Sequence, residues 1–190
     1  MYQKLKRHIQ GVINASDSEF DYFISKTKLV YLEKNEIWKS EGKISQELAY
    51  VHSGLLRHFY MDDGKEKTEK FYMEGSWFGD FGSFLAQTPS LRNYAAIEKS
   101  ELSVLSFSEL NKLYLKFPKM ERFGRLYLQQ ILIDQQNRTR SLLLDSATTR
   151  YTKFKADFPE LSQRIPQYLI AQYLGIKPET LSRIRKKETV

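Results

Sequence analysis

Apolar residues change their spacing several times along this chain, and each change predicts a different element. At the N-terminus Leu5, Ile9, Val12 and Ile13 recur at helical intervals. A second helical turn starts at Asp17-Ser18 and carries Phe20, Phe23 and Ile24. From Leu29 to about Ser108 the runs shorten and fill with Val, Ile, Tyr and Phe. Turn signals separate them at Lys34-Asn35, Glu41-Gly42, Ser53-Gly54, Asp62-Asp63-Gly64, Glu74-Gly75 and Gln87 to Pro89. Alternation within LRHFYM and TEKFYME predicts a sandwich or roll of antiparallel strands.

Helical spacing returns after the roll. Phe107 to Phe117 reads as a short helix ended by Pro118, and Lys119 to about Leu144 as a long one. The apolar residues of the long helix cover more than one narrow stripe, so it has two sides to bury. One side is expected on the roll and the other on a partner subunit, with Phe123, Tyr127 and Ile131 as the dimer face. The alternative is a helix sandwiched within one chain. Asp145 to Thr149 is polar and reads as a hinge.

Arg164 to Lys187 reads as two short helices and a tight turn. Ile170, Ala171 and Leu174 share one face of the first, and Gly175 offers a position that tolerates φ > 0. Pro178 suits a first helical turn, and Leu181 and Ile184 can pack back onto the first helix. Lys177, Glu179, Ser182, Arg183, Lys186 and Lys187 then point outward, the layout of a helix-turn-helix. The bland alternative is a surface helical hairpin.

Composition sharpens that choice. The net charge is +7, and the segment from Ala147 onward holds nine cations against four acids, hence +5 of it. A cationic segment favours a polyanionic partner. The 12 Phe and 12 Tyr can fill a real core. Cysteine is absent, which excludes disulfides, thiolate zinc sites and cysteine-ligated iron–sulfur clusters. The N-terminus lacks the apolar run of a signal peptide and nothing approaches a membrane span, so a cytoplasmic protein away from the membrane is expected.

The parts and their order resemble the bacterial Crp/Fnr transcription regulators. The resemblance rests on YVHSGLLRHFYMDDGKEKTEKFYMEGSWFGDFGSFL (Tyr50 to Leu85) and on IPQYLIAQYLGIKPETLSRIRKK, the latter similar to short-reader, Bacteroidetes-type members. It implies an α+β protein in three parts. These are N-terminal helices with a cyclic-nucleotide-binding-like jelly roll (1–118), a long dimerisation helix (119–145) and a helix-turn-helix domain (146–190). It implies a homodimer on a palindromic double-stranded site, with a small-molecule effector and RNA polymerase as further partners. By the same resemblance, Glu179, Ser182 and Arg183 would read bases while Lys177, Lys186 and Lys187 touch phosphates.

Cyclic-nucleotide-binding members of that family use a Gly-Glu pair for the ribose and an Arg-Ser or Arg-Thr pair for the phosphate. The matching stretch here holds Gly79, Asp80, Gly82 and Arg92 as the candidate effector pocket. Asp80 replaces Glu, and Arg92 precedes Asn93 rather than Ser or Thr. Counting back from AIEKSELSVL places the expected arginine at Ser90 or Leu91, and such a slip can turn a strand residue to the other face. Arg92 therefore reads either as a phosphate ligand or as a surface residue, and the effector is left open. His52 and His58 lie in the roll and His8 in the N-terminal helix, too scattered for a cupin-type metal site. Neither a nucleophile–base pair nor paired carboxylates stand out, so no enzyme and no metal site are expected. A ligand-sensing or protein-interaction module without DNA reading is the alternative function.

Overall fold

The computed structural model describes residues 2–188, with the side chain of residue 188 outside the description. Two helices open the chain, α1 (Gln3–Ile13) and α2 (Asp17–Ser25). Ser16 caps α2 by accepting from Glu19 N–H, and the Glu19 carboxylate accepts from Ser16 N–H at 2.7 Å, a reciprocal box that fixes where the helix starts. Leu5, Ile9 and Ile13 are buried, whereas Val12, expected on the same stripe, is 39% exposed.

Eight strands follow: β1 (Lys28–Leu32), β2 (Ile37–Lys39), β3 (Glu47–Ser53), β4 (Leu56–Asp62), β5 (Lys65–Tyr72), β6 (Trp77–Phe78), β7 (Asn93–Ala96) and β8 (Ser100–Ser106). They form two antiparallel sheets, ordered β1-β8-β3-β6 and β2-β7-β4-β5. Leu56, Tyr72, Phe78, Tyr94, Leu102 and Val104 fill the space between them. At the β3–β4 turn Gly54 has φ +99°, and a Cβ there would meet Ser100 Oγ at 2.2 Å, so no larger residue fits.

The short helix α3 (Phe81–Ala86) lies between β6 and β7, and α4 (Phe107–Lys116) leads from β8 into α5 (Pro118–Leu144). Pro118 starts α5, where its missing N–H costs nothing. Trp77, Leu113, Met120 and Phe123 join the α1 and α2 side chains in one cluster. The N-terminal half of α5 is thus seated on its own chain.

Four helices close the fold: α6 (Ala147–Asp157), α7 (Leu161–Arg164), α8 (Gln167–Leu174) and α9 (Pro178–Glu188). Their core of Tyr151, Phe154, Ile170, Leu174, Leu181 and Ile184 extends onto Leu55 and Ile97 of the roll. The expected hinge is short and braced. Asp145 and Ser146 separate α5 from α6, and Asp145 accepts from Ser141 Oγ at 2.6 Å and Lys153 Nζ at 2.7 Å.

Candidate functional site

Two regions gather the residues singled out above, the interior of the roll and the exposed face of α9. In the roll, Asp80 caps α3 by accepting from Ser83 N–H at 3.1 Å. Its other oxygen accepts from Ser90 Oγ at 2.6 Å, so one of the positions expected to carry an arginine instead holds this carboxylate. Arg92 points inward. It donates through Nε to Glu69 at 3.1 Å, stands 3.5 Å from Asp80 Oδ1, and stacks 5.0 Å from the Tyr60 ring centre. Glu69 also takes His58 Nε2 at 2.6 Å and Gln135 Nε2 of α5 at 3.2 Å, while His58 Nδ1 meets Tyr72 Oη at 2.8 Å.

This network sets the electrostatics of the interior. Burial lowers the His58 pKa although Glu69 opposes it, so the imidazole is neutral and donates to the carboxylate. Burial by itself would raise Glu69, but His58 and Arg92 hold it well below the carboxylate range. Burial also pushes Tyr60 up to about 12. One guanidinium faces two carboxylates, so the cluster is net negative. A cyclic phosphate would have to displace Glu69 and Asp80 from Arg92 and settle in an anionic surround. Gly79 and Gly82 flank Asp80; Gly79 is buried at φ +148°, where a Cβ would strike Leu48 Cδ2 at 2.7 Å.

Sequence reasoning missed Glu69. His58 pairs with Lys70 and Phe59 with Thr68, so Glu69 is the extra residue of a β-bulge. A bulge re-aims a side chain, and strict alternation cannot reveal it.

On α9, Leu181 and Ile184 are buried, while Glu179, Ser182, Arg183, Lys186 and Lys187 are exposed, as is Lys177 just ahead. Gly175 ends α8 at φ +64°, and Ile176 N–H returns to Ala171 O at 3.0 Å. Arg183 rests against its own helix, with Nε 3.4 Å from Glu179 O.

The dimer face needs correction. Phe123 is 8% exposed, with its ring 5.6 Å from His8 and 6.1 Å from Trp77. Tyr127 packs 5.8 Å from Phe81 and donates to Trp77 O at 3.5 Å. Phe123 belongs to its own chain's core and Tyr127 packs against it, so that side of α5 is covered by the roll and α1. Ile131 is half-buried at the edge, and the exposed large apolar residues of α5 are Leu132, Ile133, Leu142, Leu143 and Leu144.

Residues 29–117 match the family model of the cyclic nucleotide-binding domain. Over most of its length the chain is similar in fold to solved Crp/Fnr-type regulators. The c-di-GMP responsive global regulator CLP of Xanthomonas campestris is 18% identical, covers 92% of each chain and superposes with a TM-score of 0.74. FixK2 of Bradyrhizobium japonicum is 18% identical over 85% of this chain and 83% of its own, with a TM-score of 0.75. The catabolite activator protein of Thermus thermophilus is 21% identical over 95% and 85%, with a TM-score of 0.62. A comparison with curated proteins finds no match. Among the described residues no cluster of three or more His, Asp or Glu is placed to hold a metal ion, and no helix is long and apolar enough to cross a membrane.

Proposed function

We propose that this protein is a DNA-binding transcription regulator that works as a homodimer and reads a palindromic site through α9. The observation that carries the reading is the exposed, cation-rich face of α9, backed by buried Leu181 and Ile184 and launched by the sharp turn at Gly175. A helix held rigidly on its apolar side and cationic on the other suits entry into a major groove. Arg183 and Glu179 have the chemistry to read a guanine and a cytosine, with Ser182 beside them, and Lys177, Lys186 and Lys187 to meet phosphates. The fold shared with CLP, FixK2 and the catabolite activator protein supports the same reading.

The exposed leucines and Ile133 of α5 favour a second copy as partner, since a run of outward apolar residues along one helix is costly in water. Two readers related by a two-fold axis would meet half-sites about one turn (~34 Å) apart. Selection from random duplexes by the purified protein tests the proposal. Enrichment of an inverted repeat is expected, and a flat pool would leave an interaction module as the better account.

A further inference from the structure

Lys70 of β5 forms part of the wall of an open cleft of about 680 Å³, bounded also by α5, α6 and α8. Its setting is unlike that of Lys67, Lys99 and Lys112, each of which has a carboxylate partner that raises its pKa. Lys70 is half-buried and, among the described residues, has no ion pair within 4.0 Å; its Nζ lies 5.4 Å from the centre of the Tyr72 ring. Burial lowers the Lys70 pKa and Arg138 adds to the shift, while Asp134 and Glu69 oppose it without cancelling it. A larger share of this side chain is therefore the uncharged, nucleophilic amine.

The surroundings suit a negative group better than an ammonium. Besides Lys70, the walls carry Arg138, Arg140, Arg150 and Lys153 against Asp134 and Asp157. Lys153 is paired with Asp145, so three guanidiniums face two carboxylates, a surplus of one positive charge. Arg150 donates to two backbone carbonyls, Leu174 O at 2.8 Å and Asp145 O at 2.7 Å, which cancel none of its charge. Arg138 donates to Tyr173 O at 2.6 Å and stacks 3.9 Å from that ring, yet its buried Nε has no partner. Glu69, the carboxylate next to Lys70 in the chain, is already held by Arg92 and His58.

We propose that Lys70 is a modification site that takes up carbon dioxide as a carbamate. The uncharged amine attacks the carbon of CO2. An N–C bond forms, one C=O π pair moves onto oxygen, and the nitrogen releases a proton to water. The step needs no oxidant and has no leaving group. The side chain changes from a cation to an anion, which balances the surplus guanidinium. The charge of Arg138, which disfavours an ammonium at this place, favours the carbamate. The site stands on the cleft and does not depend on the reading of DNA.

The full chain, equilibrated with isotopically labelled carbon dioxide at fixed pH and ionic strength, provides the test. Carbamates are trapped by alkylation with triethyloxonium and located by mass spectrometry of the peptides. Label on Lys70 that saturates as CO2 rises is expected, with a rise in melting temperature. Lys70→Arg, which keeps the charge, should abolish both. Arg138→Met should lower the occupancy of Lys70 at subsaturating CO2 about tenfold. Arg140 is exposed, so Arg140→Ser is read in its place if melting curves show that Arg138→Met fails to fold, with a smaller drop expected. An unlabelled Lys70 overturns the proposal. So does label that favours the terminal amine or exposed lysines such as Lys177 and Lys186 over Lys70. Undiminished occupancy in the folded arginine variant overturns it as well.

Discussion

Arg164→Met removes the ion-pair bracket between the C-terminal helices and the roll. Arg164 ends α7 and donates to Glu74 at 3.1 and 2.9 Å and to Glu98 at 3.1 and 2.6 Å. Glu74 follows β5 and Glu98 lies between β7 and β8, so one guanidinium ties down two turns of the roll. In a dry interior four charge-assisted bonds would be worth several kcal/mol. Here the side chains of Arg164, Glu74 and Glu98 remain 26%, 27% and 35% exposed, and solvent screens them. Exposed pairs contribute about 0.2–1 kcal/mol each, which puts the bracket at about 1–2 kcal/mol. Methionine keeps an apolar stem, so little packing is lost with the charge. Hydrogen exchange resolved by segment is the assay, because the loss should appear as local opening. Amides of α8 should exchange about 5–30 times faster, with the strands of the roll unaffected. Unchanged exchange in α8 would refute the reasoning. So would a cycle with Glu74→Gln showing coupling below about 0.3 kcal/mol.

Four further outcomes are expected. Arg92→Met strands the Glu69 and Asp80 carboxylates inside the roll and should cost about 3–5 kcal/mol in urea unfolding; a loss under about 1 kcal/mol would mean that water already reaches them. His58 has a folded pKa below its ordinary 6.5, so its contribution is complete above pH 6.5 and declines as pH falls toward the folded value. His8 and His52 shift the same way, so His58→Gln should flatten, not abolish, the slope of stability between pH 5 and 6.5; an unaltered slope would show that the fold leaves the His58 pKa at its ordinary value. Leu132→Glu puts a carboxylate on the outward face of α5 and should yield monomers in sedimentation with the roll intact by circular dichroism; persistent dimers would place the seam elsewhere. Arg183→Ala should relax preference at one symmetric pair of bases and cost about 1–3 kcal/mol per half-site in binding assays, whereas Lys187→Ala should weaken all sequences alike; uniform loss from both would make Arg183 a phosphate contact.

The sequence by itself determined the order and kind of the elements. Helical spacing before Leu29 and after Phe107, with alternation and turn residues between, predicts the roll and helices that the structure contains. Gly175 and Pro178 mark the turn between α8 and α9 because one tolerates positive φ and the other lacks an N–H. These are local effects, carried by each residue and its near neighbours. Tertiary structure decided which partner each face met. Periodicity places Phe123, Tyr127 and Ile131 together but is silent on whether the roll or a second chain covers them, and the roll took the first two. The bulge at Glu69 breaks the alternation from which its direction would be read, so the carboxylate that occupies Arg92 could not be foreseen. Arg164 reaches Glu74 and Glu98 across 90 and 66 residues of chain. Charges that distant share no local pattern, and packing alone brings them within range of one another.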